Sequence, residues 1–143
     1  MKVVRVAFII AAMVMALSAQ ATFATHWASA EVVPATDSQD CAGGTKINDP
    51  ESGVAYAVSF DGFAGTITFT ITNSPAGPLL AFQTDSPDHL VTSMLVKGGP
   101  TSAILYTYAG DGVDSDTGLH APVNPNNGKY YGVSHICSYL AKK

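Results

Sequence analysis

Arginine is all but missing: Arg5 is the only one among 143 residues. There are two cysteines, one tryptophan and four histidines. Each scarcity excludes something. Phosphate affinity comes mostly from Lys and Arg, so an acidic chain with so little arginine is a poor nucleic-acid binder. Two cysteines, with no C-x-x-C and no H-x-x-x-H, leave no spacing that marks a zinc site. No long apolar run occurs beyond the first twenty residues, which argues against a membrane-spanning segment in the body of the chain.

The exception lies at the start. Met1-Lys2-Val3-Val4-Arg5 carries two positive charges and no acid, and Val6 to Leu17 is an unbroken apolar run. Ser18-Ala19-Gln20-Ala21 then supplies small residues at the −3 and −1 positions of a cleavage site. This order is that of a secretory signal peptide, over residues 1–21. The run is short for a hydrocarbon layer of ~30 Å, which favours a cleaved signal over the alternative of an uncleaved anchor. Ala28-Ser29-Ala30 is a second small-residue site, but it lies far past the apolar run, so cleavage after Ala21 is expected. Without its first 21 residues the chain keeps five lysines against eleven Asp and Glu, a net charge of −6. Such a chain is not drawn to an anionic membrane. In an oxidising compartment its two cysteines, Cys41 and Cys137, are expected to form one disulfide, stabilising by about 4–5 kcal/mol for a loop of about 100 residues.

Residues 22–40 are rich in Ala, Thr, Ser and Pro and read as a flexible tether; the domain is expected over residues 41–143. Within it, strand patterns follow one another. Val54, Tyr56, Val58 and Phe60 alternate on one face. Residues 66–72 (TITFTIT) place Ile67, Phe69 and Ile71 on one face and four threonines on the other, the period of a half-buried strand. Residues 61–65 read as a hairpin loop, 73–78 as a loop, 79–84 and 90–97 as strands, and 86–88 as a turn. Residues 103–109 place Ile104, Tyr106 and Tyr108 together. Gly110–Gly128 reads as long and irregular. Residues 130–139 close the domain with Tyr131, Val133, His135, Cys137 and Tyr139 on one face. A weaker strand is expected near residues 45–48. Short strands divided by Gly/Pro turns, with no competing helical period, predict an all-β fold, an antiparallel β-sandwich of immunoglobulin-like or jelly-roll-like form behind the signal helix.

Val96-Lys97-Gly98-Gly99-Pro100, then Tyr106 and Tyr108, then residues 115–136 (SDTGLHAPVNPNNGKYYGVSHI) carry a further signal. This segment resembles a recurrent module of exported bacterial surface proteins with the pattern VKGG…Y.Y…SDTGLHAP.NP.NGK.YGLSHI followed by a cysteine. The resemblance covers residues 94–139 and implies an extracellular β-sandwich of unassigned activity. Here the cysteine comes two residues earlier than in the usual ending, a shift that keeps its side of the strand. No sorting motif accompanies Lys142-Lys143, so release or non-covalent surface association is expected.

Asp111, Asp114 and Asp116 on a Gly-containing loop are candidate calcium ligands, since hard carboxylate oxygens suit that ion. Their spacing is not that of an EF-hand, and a solvated acidic loop is the competing reading. Otherwise no cofactor is expected. His89, His120 and His135 lack metal-ligand spacing. His120 and His135 are read as structural hydrogen-bonding groups. Ser134, His135 and Asp116 do not make a hydrolase, because adjacent strand residues point to opposite faces and the G-x-S-x-G elbow is absent. Tyr106, Tyr108, His120, Asn126, Tyr130 and Tyr131 form a candidate binding surface, since tyrosines stack on sugars and anchor protein partners.

These observations favour a non-enzymatic secreted or cell-surface module that binds an extracellular protein or carbohydrate, or builds a surface matrix, with Gly110–Gly128 as its contact region. Two alternatives stand beside it. One is a small metal-dependent enzyme using His120, His135 and the loop aspartates. The other is a self-assembling fibre subunit pairing through strand 66–72, read as an edge without charge.

Overall fold

The computed structural model describes residues 26–36, 41–86 and 88–143. It holds nine strands: β1 (Trp27–Pro34), β2 (Thr45–Asn48), β3 (Ala55–Phe60), β4 (Phe63–Ser74), β5 (Gly77–Asp85), β6 (His89–Lys97), β7 (Ser102–Tyr108), β8 (Ser115–Leu119) and β9 (His135–Lys142). Five form one sheet, in the order β1-β7-β6-β9-β2, and four form the other, β3-β4-β5-β8. Every pairing is antiparallel. The two sheets pack face to face as a β-sandwich, and no helix occurs among the described residues. The expected signal segment, residues 1–21, and residues 22–25 lie outside those residues.

Alternation selects the core. Ile67 and Phe69 of β4, Leu80 and Phe82 of β5, Leu119 of β8, Val91, Met94 and Val96 of β6, Ile104, Tyr106 and Tyr108 of β7, and Ile136 and Leu140 of β9 are buried between the sheets. Such burial stabilises by roughly 1.5–3 kcal/mol per large side chain. The opposite face of β4 carries the four threonines, as the period-2 pattern requires. The β3–β4 hairpin turns on two residues, Asp61 and Gly62, with φ of 47° and 79°. Two successive positive φ angles make a type I′ turn, and Asp-Gly is the pair that supplies them. The loop is therefore shorter than the 61–65 read from composition, and pairing resumes at once with Phe60 opposite Phe63. Likewise β4 and β5 run to Ser74 and from Gly77, deep into the expected 73–78 loop.

Several expectations are corrected. Residues 27–34, read as part of the tether, form β1, which pairs with β7 from Trp27↔Tyr108 to Pro34↔Ser102. An edge strand with solvent on both faces has no apolar alternation to betray it, and residues 28–32 are indeed exposed. Strand 66–72 is not an edge: β4 lies between β3 and β5. The edges are β1 and β2 in one sheet and β3 and β8 in the other. The segment Gly110–Gly128 contains β8, and residues 130–134 precede the last strand rather than belong to it.

β1 and β2 occupy opposite edges of the same sheet, so the chain between them must cross from one side to the other. Ala35 and Cys41 from this crossing pack with Leu95, Ala103 and Cys137 as a second, smaller apolar cluster. These residues alternate with the core-facing ones on β6, β7 and β9, so the cluster covers the outer face of the five-stranded sheet. Cys41 is bonded to Cys137 of β9, with Cα atoms 5.5 Å apart. Replacing both cysteines by alanine should lower stability by about 4–5 kcal/mol. Urea unfolding checks this: a loss below about 1 kcal/mol would mean that the crossing is held by packing alone.

Candidate functional site

Residues 97–99 and 120–134 fold together as a packed cap. Gly98 and Gly99 follow β6, where β-carbons would have no room. At Gly98 a Cβ would come within 2.4 Å of the Gly132 carbonyl oxygen, and at Gly99, with φ 76°, within 2.5 Å of the Tyr131 ring. Buried Lys97 donates its ammonium to the Gly99 carbonyl. The Lys97 carbonyl accepts from the Ser134 amide at 2.8 Å and its hydroxyl at 3.3 Å. The VKGG stretch and the GK-YG stretch are thus two halves of one joint.

The Asn-Pro-Asn-Asn-Gly loop is set by its own side chains. The Asn124 Oδ1 accepts from the Asn126 amide, and the Asn127 Oδ1 from the Lys129 amide. Asn side chains that bond the backbone two residues on mimic a turn, so these asparagines are turn formers. Asn126 itself is exposed. The Tyr130 amide donates to the Ala76 carbonyl at 2.7 Å, and the His120 ring stacks on Tyr130 with centroids 3.7 Å apart. The His120 Nδ1 lies 2.9 Å from the Ala121 carbonyl, which fixes that nitrogen as the donor. His120 thus bonds the carbonyl of the next residue and stacks on Tyr130.

The candidate tyrosine surface is corrected in part. Tyr106 and Tyr108 are buried core residues. The Tyr106 hydroxyl donates to the His120 carbonyl at 3.0 Å and accepts from the His120 amide at 2.8 Å. Tyr130 and Tyr131 are half-buried, one engaged with His120 and the other over Gly99.

The three aspartates also separate. Asp116 is buried, whereas Asp111 and Asp114 are exposed. One Asp116 oxygen accepts from its neighbour's amide, Thr117 N, at 2.7 Å, and from the His26 amide at 3.0 Å. The His26 Nδ1 lies 3.3 Å from the same oxygen. Asp116 thus ties the start of β1 to β8, joining the edges of the two sheets. No three acidic, histidine or cysteine side chains gather as a metal site among the described residues. The calcium set and the His120/His135/aspartate set of the enzyme alternative are therefore not assembled. His135 is buried in β9, opposite Lys97 and Asn48. His26 was invisible to sequence reading, since nothing near it in the chain predicts a partner 90 residues away.

A different surface has the shape of a site. On the outer face of the four-stranded sheet, Thr70 stands opposite Ala81 and Thr72 opposite Leu79. In β8, three steps from Asp116 to Leu119 face two from Phe82 to Leu80, an extra residue that makes a bulge at Thr117 and Gly118. Thr70, Thr72, Leu79, Ala81, Thr117 and Gly118 line a trough of about 450 Å³. It continues past Thr68, Gln83 and Ser115 into a second of about 300 Å³. None of these residues is charged. Hydroxyls and one amide rise from a floor of methyl and methylene groups. Alternation foretold the threonines, but not the β8 wall that makes a trough of them.

Compared with known protein families, curated proteins and solved structures, the chain matches none.

Burial, partly offset by the bonds to the His120 backbone, pushes the Tyr106 phenol up to about 12. Burial first, and then the Asp116 carboxylate, hold Tyr108 well above the usual tyrosine value. Unfolded tyrosines ionise near 10. The unfolded chain therefore releases these protons first, and stability falls as pH rises past about 10. Phenolate absorbance should show two of the six tyrosines ionising only as the protein unfolds. Six that titrate together near pH 10 in the folded protein would contradict the buried placement.

Proposed function

We propose that this protein is an exported, non-enzymatic β-sandwich module that binds a neutral glycan along the outer face of the β3-β4-β5-β8 sheet. The observation that carries this reading is the trough lined by Thr70, Thr72, Leu79, Ala81 and Thr117, which is uncharged and rich in hydroxyls. A ligand without charge, which presents hydroxyls on its edges and C–H groups on its faces, complements that surface. A phosphorylated or sulphated ligand does not, because it would meet no cation there and a net-negative chain around it. Ligand sites are concave, mostly apolar and provided with a few polar groups, as this one is.

Export rests on the signal-like leader and is supported by the disulfide between Cys41 and Cys137, a bond that persists in oxidising compartments. No helix among the described residues is long and apolar enough to cross a membrane. The position of β1 bears on processing. Removal of the leader after Ala30 would take Trp27 from its place against Tyr106 and His26 from Asp116. Cleavage after Ala21 leaves β1 whole. Mass spectrometry of the exported protein should find Thr22 at the N-terminus, and a start at Glu31 would refute this.

The binding reading is tested by adding a panel of neutral oligosaccharides to the oxidised protein and following amide shifts. Shifts should cluster on Thr70, Ala81 and Thr117. Thr70→Arg with Ala81→Glu should abolish them, while the melting temperature stays within about 4 °C, since Thr70 is exposed and Ala81 half-buried on the open face of the sheet. Shifts that fall instead on the loop around Asn126 would move the contact surface to the cap, and no shift with any neutral glycan would overturn the proposal.

A further inference from the structure

β1 stands apart from the rest of the sandwich. It lies on the N-terminal side of Cys41, outside the ring that the disulfide closes, and among the described residues it pairs with β7 alone. Most of its side chains face water: residues 28–32 are exposed, Val32 to 65%. Only Trp27 and Val33 are half-buried within the strand. What holds β1 is therefore mainly its backbone ladder, together with a head made of two residues. The Trp27 ring sits 5.1 Å from that of Tyr106, and His26 meets Asp116.

β7 beneath it is the opposite. Ala103, Ile104, Tyr106 and Tyr108 are buried. Without a neighbour, β7 would present a row of unpaired amides and carbonyls beside an apolar core, which is a template for another strand. We propose that the β7 edge is a strand-acceptor site, and that β1 of a second copy occupies it in place of the chain's own β1. Strand addition of this kind draws affinity from main-chain bonds and specificity from side-chain pockets. Here the pocket residues are Tyr106 and Asp116, and the residues they recognise are Trp27 and His26.

The occupant is a second copy because the matching strand is already seated in the site. Exchange reproduces the same ladder and the same head contacts, breaks no covalent bond and leaves the other eight strands in place. A chain that donates β1 to one neighbour and accepts from another makes a head-to-tail contact, so the product is an open array or a ring. The chain's own β1 is present at an effective concentration in the millimolar range, so exchange needs comparable crowding. This inference is independent of glycan binding.

The test uses the oxidised chain from Thr22 to Lys143 in two singly substituted forms. Ser29 and Thr107 face each other across the β1–β7 pair and are both exposed. Ser29→Cys protein mixed with Thr107→Cys protein under mild oxidation should give a disulfide-linked heterodimer. Its yield should exceed by about tenfold that of Ser29→Cys mixed with Ser102→Cys, because Ser102 lies opposite Pro34 and register sets the pairing. Equal yields, or no heterodimer at millimolar protein, would overturn the proposal. Hydrogen exchange on the unsubstituted chain gives a check that needs no variant. The β1 amides should exchange at least about tenfold faster than those of β6 and β9, as an independently opening strand does. β1 amides as protected as those of β9 would overturn it equally.

Discussion

The bond between Cys41 and Cys137 settles how this sandwich is closed. The five-stranded sheet has β1 at one edge and β2 at the other, and the chain between them crosses its outer face. Such a crossing covers apolar side chains on β6, β7 and β9 that would otherwise face water, including Leu95 and Ala103. It brings little apolar mass of its own: Ala35 and Cys41 are its buried residues among those described. A covalent tie to β9, the strand beside the β2 edge, compensates by restricting the unfolded chain rather than by adding contacts. The five-stranded sheet is thus buried on both faces over part of its area, whereas the four-stranded sheet keeps one face open. The open face carries the trough.

The stretch from Lys97 to Gly99 and the loop from His120 to Ser134 act as joinery. Their glycines admit the Gly132 carbonyl and the Tyr131 ring against the end of β6, their asparagines fold the loop on itself, and the His120 backbone is gripped by the Tyr106 hydroxyl. Asp116 joins the first described residue, His26, to the edge of the second sheet. A buried carboxylate is costly unless it is hydrogen-bonded, and the amides of His26 and Thr117 serve that need at one of its two oxygens. Residues 97–99 and 120–134 therefore organise the fold. The proposed contact surface is made by threonines, alanine and leucine of plain strands.

How much was legible follows from what each element buries. Residues 66–72 announce themselves because β4 has one dry face and one wet face, and Ile104, Tyr106 and Tyr108 do so for the same reason. The weak strand at 45–48 was found through its single buried side chain, Ile47. β1 was hidden because both of its faces are wet, and β8 because a bulge breaks its period within five residues. The pairing of Cys41 with Cys137 was readable from number alone. The three aspartates lie close in sequence, but alternation and the bulge send Asp116 inward and leave Asp111 and Asp114 in water. The trough was beyond reach, since it depends on which strand stands beside β5.

The placement of the disulfide also sets the mechanical character of the molecule. A load applied between the two ends of the chain passes from β1 through Cys41 directly into Cys137 and out through the last residues of β9. The residues between the two cysteines, a sequence separation of 96 with seven complete strands, are bypassed by a covalent link and carry none of the tension. Only the stretch ahead of Cys41 and the six residues after Cys137 can pay out. For residues 26–41 that amounts to ~50 Å at the reach of an extended chain. Under such a pull β1 peels or shears from β7 while the trough-bearing sheet stays folded, so the protein behaves as a short extensible leader on an inextensible body.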